Sequence, residues 1–397
     1  MMKKLLFVGI TIFCAIGTLE AQNIDKHKLE ELLLKAKETN SEAIIIYQNN
    51  ILRTEKYFGI GHKDSLIETM SCTKSVVGLA AACLLEDGLL DSLDTPVFKF
   101  YPEWNQGKKK DITIRHLLTM TSGIQNHRNA NMEIYPSPDF VQLALCAELT
   151  ESPGTKFRYN NKSLNLMSGI FEKVTGKRMD LYIKERLFKP LNIEKYNWTQ
   201  DKAGNPHMMS GCQLMPRDFA KIGLLLMNNG SYNGDQIISK QNISKVIEPS
   251  LQYRGYGLLW WLDYEVIKYT IDDEIINNLV EQKVNPQFIS KVELMKGEYL
   301  SLQEYSAKIV EIFGENSREY ILTNISDFGQ FRKKELMGSA SIYRADGYLG
   351  NYIVVDPLNK IVAIRMISYK SYNFDDETGK DGFREFNSMV KELVKKN

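Results

Sequence analysis

The sequence has no excess of charge of either sign. Its 397 residues include 50 lysines and arginines against 49 aspartates and glutamates. A surface for nucleic acid needs an excess of basic residues gathered in a patch. The only notable basic run ahead of the C-terminal end, residues 108–110, lies in a glycine-containing loop and is interpreted as a solvated turn. The composition therefore predicts that nucleic acid is not a partner.

Cysteine and histidine are scarce, with five of each. Beyond the N-terminal segment, Cys72, Cys83, Cys146 and Cys212 form no C-x-x-C pair, and the histidines show no H-E-x-x-H spacing. On one helix, Cys72 and Cys83 would lie about three turns apart, too far for a disulfide. We expect small buried thiols, no metal site and no cofactor.

A hydrophobic run long enough to cross a membrane is also missing. Two lysines followed by the apolar residues 5–17 have the form of a secretory signal, and this run is shorter than the about 20 residues of a spanning helix. We expect residues 1–21 to be a signal peptide and residues 22–397 to be exported, to the periplasm or outside the cell, without a transmembrane segment. A lipoprotein anchor at Cys14 is the alternative, disfavoured by the bulky Phe13 before it.

The last absence is the G-x-S-x-G turn that carries the serine of many Ser-His-Asp hydrolases. Two histidines could have served such a triad, but His116 lies in an apolar helical segment and His207 in a polar loop. Both are expected to be structural. A Ser-His-Asp hydrolase is therefore not predicted.

What the sequence does contain is Ser71-Cys72-Thr73-Lys74, followed by Tyr159-Asn160-Asn161. A serine and a lysine three residues apart on a helix share a face, about 5–6 Å between Cβ atoms, so that the amine can take the hydroxyl proton. Residues 75–85 are small and apolar all round, which predicts a buried helix with Ser71 at its N-terminus. The pattern predicts a serine hydrolase.

Each of the two patterns occurs once more in the chain, and there the surroundings differ. Ser388 and Lys391 also fit S-x-x-K, but they lie in the charged C-terminal segment, which is typical of a surface helix. Tyr47 and Asn49 fit Y-x-N, but they follow an apolar run and precede a second asparagine, which predicts a strand and a hairpin turn. We interpret both as structural.

The order of predicted elements indicates an α/β (α+β) fold. Strands come from both ends of the chain, and a mostly helical region, residues 111–247, lies between them. This order predicts an antiparallel sheet flanked by the N- and C-terminal helices, beside an all-helical lobe, with Ser71 where the two meet. The expected helices cover residues 24–38, 71–86, 115–120, 161–174, 218–227 and 382–395, and the expected strands residues 43–47, 51–58, 256–261, 339–344, 351–356 and 361–368.

A long charged stretch, residues 264–336, interrupts the strand region. It contains helix-like pieces, no repeat and no low-complexity run. We interpret it as an inserted, mostly helical segment within the hydrolase domain. Its position just before the final strands is compatible with a lid over the site and equally with a solvated decoration.

Several stretches together resemble the penicillin-recognising serine hydrolases, in the branch of class C β-lactamases and related esterases and amide hydrolases. Besides S-x-x-K and Y-x-N, they are residues 112–123, 153–161 and 256–261. The resemblance extends over most of the mature chain outside residues 264–336 and implies a β-lactamase-like fold.

The resemblance also implies roles for particular residues. Ser71 would be the nucleophile, Lys74 an uncharged base, and Tyr159 the relay that carries a proton to the leaving group. Asn161 would orient Lys74 or the substrate carbonyl, unless it is only a helix cap, and Tyr159 has the alternative of a core aromatic. The N–H groups of Ser71 and of the strand near Gly347 would form the oxyanion hole. Substrate contacts are also expected from Tyr348, Trp260 and Arg344.

The third family motif is where this chain departs. Residues 343–350 carry no Lys-Thr-Gly, and Asp346 stands near the position where a cation meets the carboxylate of a β-lactam. Arg344 could replace that cation, although strand alternation could point it away. We therefore expect hydrolysis of an ester or small amide through an acyl-serine. The alternatives are a β-lactamase or D-alanyl peptidase acting on β-lactams or cell-wall peptides, and a non-catalytic binder of such peptides.

Overall fold

The computed structural model describes residues 23–127, 129–325 and 328–394. The expected signal peptide, residues 1–21, lies outside this range. In the described part of the chain there are twelve strands: β1 Ala43–Gln48, β2 Ile51–Tyr57, β3 Ile67–Glu68, β4 Tyr196–Trp198, β5 Cys212–Leu214, β6 Ser231–Tyr232, β7 Asp235–Gln236, β8 Trp261–Ile271, β9 Gly297–Tyr299, β10 Lys333–Gly347, β11 Asn351–Asp356 and β12 Ile361–Met366.

Fourteen α-helices accompany these strands in the same described ranges. They are α1 Lys26–Glu38, α2 Thr73–Glu86, α3 Ile114–Leu118, α4 Phe140–Cys146, α5 Asn161–Leu164, α6 Leu166–Thr175, α7 Met179–Ile183, α8 Pro216–Met227, α9 Lys240–Val246, α10 Asp273–Glu281, α11 Pro286–Glu293, α12 Leu302–Phe313, α13 Ser317–Asn324 and α14 Phe386–Lys391. None of the described helices is both long and apolar enough to cross a membrane.

The main sheet has seven strands in the order β2-β1-β12-β11-β10-β8-β9, and all its neighbouring pairs are antiparallel. Its strands β1, β12 and β11 are buried on both faces, and successive side chains along each strand point to opposite faces. Ile44 and Ile46 of β1 pack with α1 and α14, whereas Ala43 and Ile45 face the larger core on the other side. The predicted sheet with terminal helices on it is therefore confirmed.

Helix α8 covers the opposite face of the sheet from α1 and α14. A Cβ at Gly223 would lie 2.7 Å from Val362 and 2.8 Å from Ile353, so glycine is required for this close approach. The helical lobe formed by α2 to α9 continues from this layer and shares one hydrophobic core with the sheet. The expected lobe beside the sheet is thus confirmed, but it is not all-helical, because strands β4 to β7 lie between its helices α7 and α9.

Some predicted boundaries are wrong. The expected strand over residues 256–261 is a turn as far as residue 260, since Leu259 has a φ of +61° and β8 begins only at Trp261. The expected C-terminal helix, residues 382–395, is shorter, because Phe383 has a φ of +41° and α14 begins at Phe386. The expected helix over residues 161–174 is divided into α5 and α6.

Helices α10 to α13 lie between the long strands β8 and β10. They have a hydrophobic cluster of their own, built around residues such as Leu279, Phe288 and Phe331. The two ends of the 264–336 segment differ from the helical expectation, since residues 264–271 belong to β8 and residues 333–336 to β10. That the segment is an insertion stays a prediction.

The described cysteines, Cys72, Cys83, Cys146 and Cys212, are free thiols. Three of them are buried as expected, but Cys146 is exposed, so the expectation of a buried thiol is wrong at that position. Among the described residues, no group of histidine, cysteine, aspartate or glutamate side chains is arranged to hold a metal ion.

Candidate active site

Ser71 lies at the entry to the most buried helix of the lobe. It is the middle residue of a short 3-10 helix, Met70–Cys72, which leads directly into α2. Residues 73–84 of α2 are all buried, as their small apolar side chains predict. Met70 has a φ of +51°, which turns the chain sharply between β3 and the helix.

Lys74, one turn further along, is held inside the protein. Its side chain is only 2% exposed, and its Nζ lies 3.0 Å from Ser71 Oγ and donates a hydrogen bond of 2.7 Å to the carbonyl oxygen of Met209. Burial lowers the pKa of Lys74 from 10.5 to about 7, because an ammonium ion loses its hydration there. Near neutral pH, much of the Lys74 population is therefore an uncharged amine beside the serine.

Tyr159 forms a hydrogen bond with the same serine. The Nζ of Lys74 is 5.1 Å from the centre of its ring. Burial raises the pKa of the Tyr159 phenol above 10, and a hydrogen bond with Ser71 opposes part of that rise. Its ring stacks on Trp261, with centres 6.0 Å apart and planes 9° apart. Ser71 is thus within reach of both an amine and a protonated phenol.

Asn161 is not the helix cap that its position allowed. The cap of α5 is Asn160, whose side chain accepts a hydrogen bond of 2.8 Å from the N–H of Ser163. Asn161 is the first residue of the helix, and its Oδ1 is buried without a hydrogen-bond partner among the described residues. Asn161 also lines the pocket of Ser71.

The pocket of Ser71 has a volume of about 630 Å³. Asn161 and Tyr348, both expected at the site, line it together with the serine. None of the described residues that line it carries a charge; they are Met70, Ser71, Asn129, Ala130, Asn131, Tyr135, Asn161, Met209, Ser210, Tyr348, Tyr369 and Phe374.

Gly347 brings strand β10 against the segment that carries the serine. It is the last residue of β10, and a Cβ there would lie 2.6 Å from the carbonyl oxygen of Thr69. Only glycine allows this approach without a shift of backbone. The end of β10 and the start of the 3-10 helix therefore lie side by side, as an oxyanion hole shared between them requires.

Two expected substrate contacts are absent from the lining of this pocket. Trp260 is fully buried, and its Nε1 donates a hydrogen bond of 3.2 Å to the carbonyl oxygen of Ser75, so it is a core residue. Arg344 forms ion pairs with Asp263 and Asp346 and lines a separate cavity of about 250 Å³. The expectation for Trp260 is wrong because its side chain points into the core. The expectation for Arg344 is wrong because two carboxylates bind its guanidinium.

A second cavity of about 880 Å³ adjoins the first at Asn161 and is also lined by Tyr159. We call it the polar groove, because charged side chains line it. They include Lys162, ion-paired with Glu133 at 2.7 Å, and Arg158, ion-paired with Glu151 at 3.2 Å. Ser71 thus lines an uncharged pocket that adjoins a polar groove.

Several site residues carried no signal in the sequence. Met209 contributes a backbone carbonyl, which any residue type could supply. Tyr135, whose hydroxyl lies 3.1 Å from Ser210 Oγ, and the pair Tyr369 and Phe374 come from loops outside the recognised motifs. His116 and His207 are absent from the lining of both cavities, and burial lowers the pKa of each.

Comparison with known sequences covers most of the chain. The sequence model of the family described as "Beta-lactamase" matches residues 28–384. "Protein flp" of Staphylococcus aureus (strain MW2) is 28% identical over 190 residues, which are 43% of this chain and 37% of that protein. "Putative penicillin-binding protein PbpX" of Bacillus subtilis (strain 168) is 25% identical over 203 residues, 49% of this chain and 50% of that protein. The chain therefore spans half the length, or less, of these curated relatives.

Comparison with solved structures agrees on the fold. "Putative 6-aminohexanoate-dimer hydrolase from Bacillus anthracis" superposes with a TM-score of 0.61 at 18% identity, covering 92% of this chain and 83% of that one. The resemblance to the penicillin-recognising serine hydrolases is thereby confirmed, with its β-lactamase-like fold. On the match over residues 28–384, the chain belongs to the Beta-lactamase family.

Proposed function

We propose that the protein hydrolyses an ester or small amide through a covalent acyl-serine at Ser71. One observation carries the proposal: a lysine that is 2% exposed, with a pKa lowered to about 7, lies 3.0 Å from the serine hydroxyl. A serine hydroxyl needs an adjacent base to become a nucleophile, and an amine serves only when uncharged.

In the acylation step, Lys74 Nζ takes the proton of Ser71 while Oγ bonds to the substrate carbonyl carbon. The bond from that carbon to the leaving alcohol or amine then breaks, and Tyr159 gives its proton to the leaving group. Lys74, whose Nζ lies 5.1 Å from the centre of the Tyr159 ring, then returns its proton to the phenolate, which restores both groups. The raised pKa of Tyr159 supports this order, because the phenol stays protonated until a strongly basic leaving group forms.

Deacylation repeats these transfers with water as the nucleophile. Lys74 takes a proton from a water whose oxygen bonds to the acyl carbon. The bond from that carbon to Ser71 Oγ then breaks, and Lys74 returns the proton to Oγ as the acid leaves. The N–H groups of Ser71 and of the backbone near Gly347 would hold the oxyanion in both steps. Each such donor is typically worth about 3–4 kcal/mol of transition-state stabilisation.

The lining of the pocket supports an uncharged ester or amide over a β-lactam. A β-lactam carries a carboxylate, and none of the described residues that line the pocket carries a positive charge. Arg344, the one cation expected to meet it, is held by Asp263 and Asp346. Turnover of nitrocefin would instead favour a β-lactamase or peptidase.

The experiment is covalent labelling with a fluorophosphonate probe. Wild-type protein should be labelled at Ser71, and Ser71→Ala should not. Ser388→Ala is the matched control, since Ser388 has the same S-x-x-K spacing, and it should be labelled like wild type. Equal labelling of Ser71→Ala and wild type, or no labelling of wild type together with no turnover of any ester, would overturn the proposal and leave the non-catalytic binder.

Export belongs to the same proposal. It rests on the basic start and the apolar run within residues 1–21. N-terminal sequencing of the protein from its source cells should begin at Gln22. An intact Met1 would contradict export through a cleaved signal.

A further inference from the structure

Exposed aromatic side chains are confined to one place in the described part of the molecule. Four aromatic residues there are exposed: Tyr135 at 47%, Tyr348 at 60%, Tyr369 at 53% and Phe374 at 54%. All four line the pocket of Ser71. Large aromatic side chains left in contact with water and gathered around a nucleophile indicate a binding surface rather than part of the core.

The rings come from three separate parts of the chain. Tyr348 follows β10, Tyr369 and Phe374 follow β12, and Tyr135 belongs to the helical lobe. Tyr369 stacks on Phe374 with centres 5.8 Å apart, and Tyr348 meets Tyr369 at 57° with centres 6.3 Å apart. The rings therefore present apolar faces at more than one angle. We call the pocket of Ser71, which these four residues line, the aromatic pocket.

The two cavities beside Ser71 differ in chemistry. The aromatic pocket has no charged lining residue among those described, whereas Lys162, Glu133 and Arg158 line the polar groove. Tyr159, the proposed proton donor to the leaving group, lines the polar groove. A leaving group that receives this proton would point into the groove, so the acyl group that stays on Ser71 would remain in the aromatic pocket.

From this arrangement we propose that the substrate carries an uncharged aromatic or bulky apolar acyl group, bound by Tyr135, Tyr348, Tyr369 and Phe374. The inference rests on the proposed acyl-serine function and specifies its substrate class. Aromatic rings bind such groups by burial of apolar area and by offset or edge contacts. A carboxylate or ammonium on the acyl chain would lose hydration there without gaining an oppositely charged partner among the described lining residues.

The first experiment compares methyl esters that differ only in the acyl group. The kcat/KM for methyl phenylacetate should be at least about tenfold higher than the kcat/KM for methyl acetate. It should exceed the kcat/KM for the anionic monomethyl succinate by the same factor. Phe374→Ala and Tyr369→Ala should each reduce the phenylacetate-to-acetate ratio at least about threefold. Leu358→Ala, at a leucine that is 76% exposed and absent from the pocket lining, should leave the ratio unchanged.

A second experiment separates this inference from the chemistry. Phenylacetamide and acetamide are titrated into Ser71→Ala, which cannot be acylated, and binding is measured by calorimetry or NMR. Phenylacetamide should bind at least about tenfold more tightly, and Phe374→Ala in that background should weaken it. Equal affinity for the two amides, or tighter binding of a neutral disaccharide than of phenylacetamide, would overturn the aromatic pocket even if ester hydrolysis is found. Failure of all hydrolysis with the affinity difference intact would overturn only the proposed function.

Discussion

The chain contains the same four-residue spacing twice, in two surroundings. Lys74 is 2% exposed and lies 3.0 Å from Ser71 Oγ, and no ion pair is found for it among the described residues. Lys391 is 37% exposed and ion-paired with Asp263 at 2.9 Å, while Ser388 Oγ donates to the carbonyl oxygen of Glu385. Spacing alone brings a serine and a lysine to one helix face; it does not make the lysine a base.

Burial without a carboxylate is what distinguishes the first pair. In α2 the surrounding residues are small and apolar, so the ammonium form of Lys74 gains neither water nor a counter-ion and its pKa falls to about 7. In α14 the lysine remains at the surface with an aspartate. The comparison predicts that equal substitutions at the two lysines have unequal effects.

The largest contrast is expected from arginine at each position. Lys74→Arg should lower kcat/KM by at least about 10³-fold, because a guanidinium cannot give up its proton to become a base. Lys391→Arg should stay within about twofold of wild type, since it keeps a cation for Asp263. Ester turnover by the purified proteins, with circular dichroism to verify folding, provides the measurement. Substantial turnover by Lys74→Arg would contradict the role of base.

The pH dependence gives the next largest effect. If uncharged Lys74 is required, log kcat/KM should rise by about one per pH unit below pH 7 and level off above it, since kcat/KM reports the free enzyme. A pH series with an uncharged ester tests this. Ser388→Ala should give the same curve. A profile that is flat between pH 5 and 8 would contradict the lowered pKa of Lys74.

Stability should rise with pH as catalysis does, but over a higher pH range. Below pH 7 the folded protein bears the full cost of the buried ammonium; between about 7 and 10.5 the unfolded chain binds more protons, so this cost disappears as pH rises. Lys74→Met should therefore raise the free energy of unfolding by about 2 kcal/mol at pH 6, after allowing for the unpaired Met209 carbonyl, and give no gain at pH 10.

The same substitution at the other lysine is the control for that measurement. Lys391→Met removes a partly exposed ion pair and should lower the free energy of unfolding by up to about 1 kcal/mol. Urea unfolding at several pH values provides the comparison. If Lys74→Met were less stable than wild type at pH 6, the predicted net cost of burying the ammonium of Lys74 would be contradicted.

Much of the helix that carries the site could be predicted from local sequence. The apolar residues after Ser71 predict that the helix is buried, and Asp87-Gly88 predict that it ends at Glu86. Gly88 indeed adopts a φ of +66°. Both signals lie within a few residues of the feature that they specify. These local signals predict the helix correctly because tertiary packing buries the whole helix and does not override them.

The walls of the site could not be predicted in the same way. The carbonyl of Met209 reaches Lys74 across 135 positions, and Tyr369 joins the pocket only because β12 lies in the middle of the main sheet. The prediction of a strand just before β8 is wrong because the aromatic and aliphatic residues there are typical of a strand, while Leu259 takes a positive φ that a strand does not allow. That turn decides which of two neighbouring tryptophans meets the active site.

The smallest expected effect comes from substitutions at the two tryptophans. It concerns the phenol of Tyr159, which has no counterpart in the Ser388 and Lys391 pair. Trp261 stacks on Tyr159, so Trp261→Leu should lower kcat about 2–10-fold by loosening the ring, with little change in KM, since Trp261 does not line the pocket of Ser71. Trp260→Leu should instead lower the free energy of unfolding by about 2–3 kcal/mol, because it opens a cavity in the core. Its folded fraction should keep wild-type kcat. If Trp261→Leu left kcat unchanged and Trp260→Leu lowered it, the phenol would be positioned from the core and not by the stacked ring.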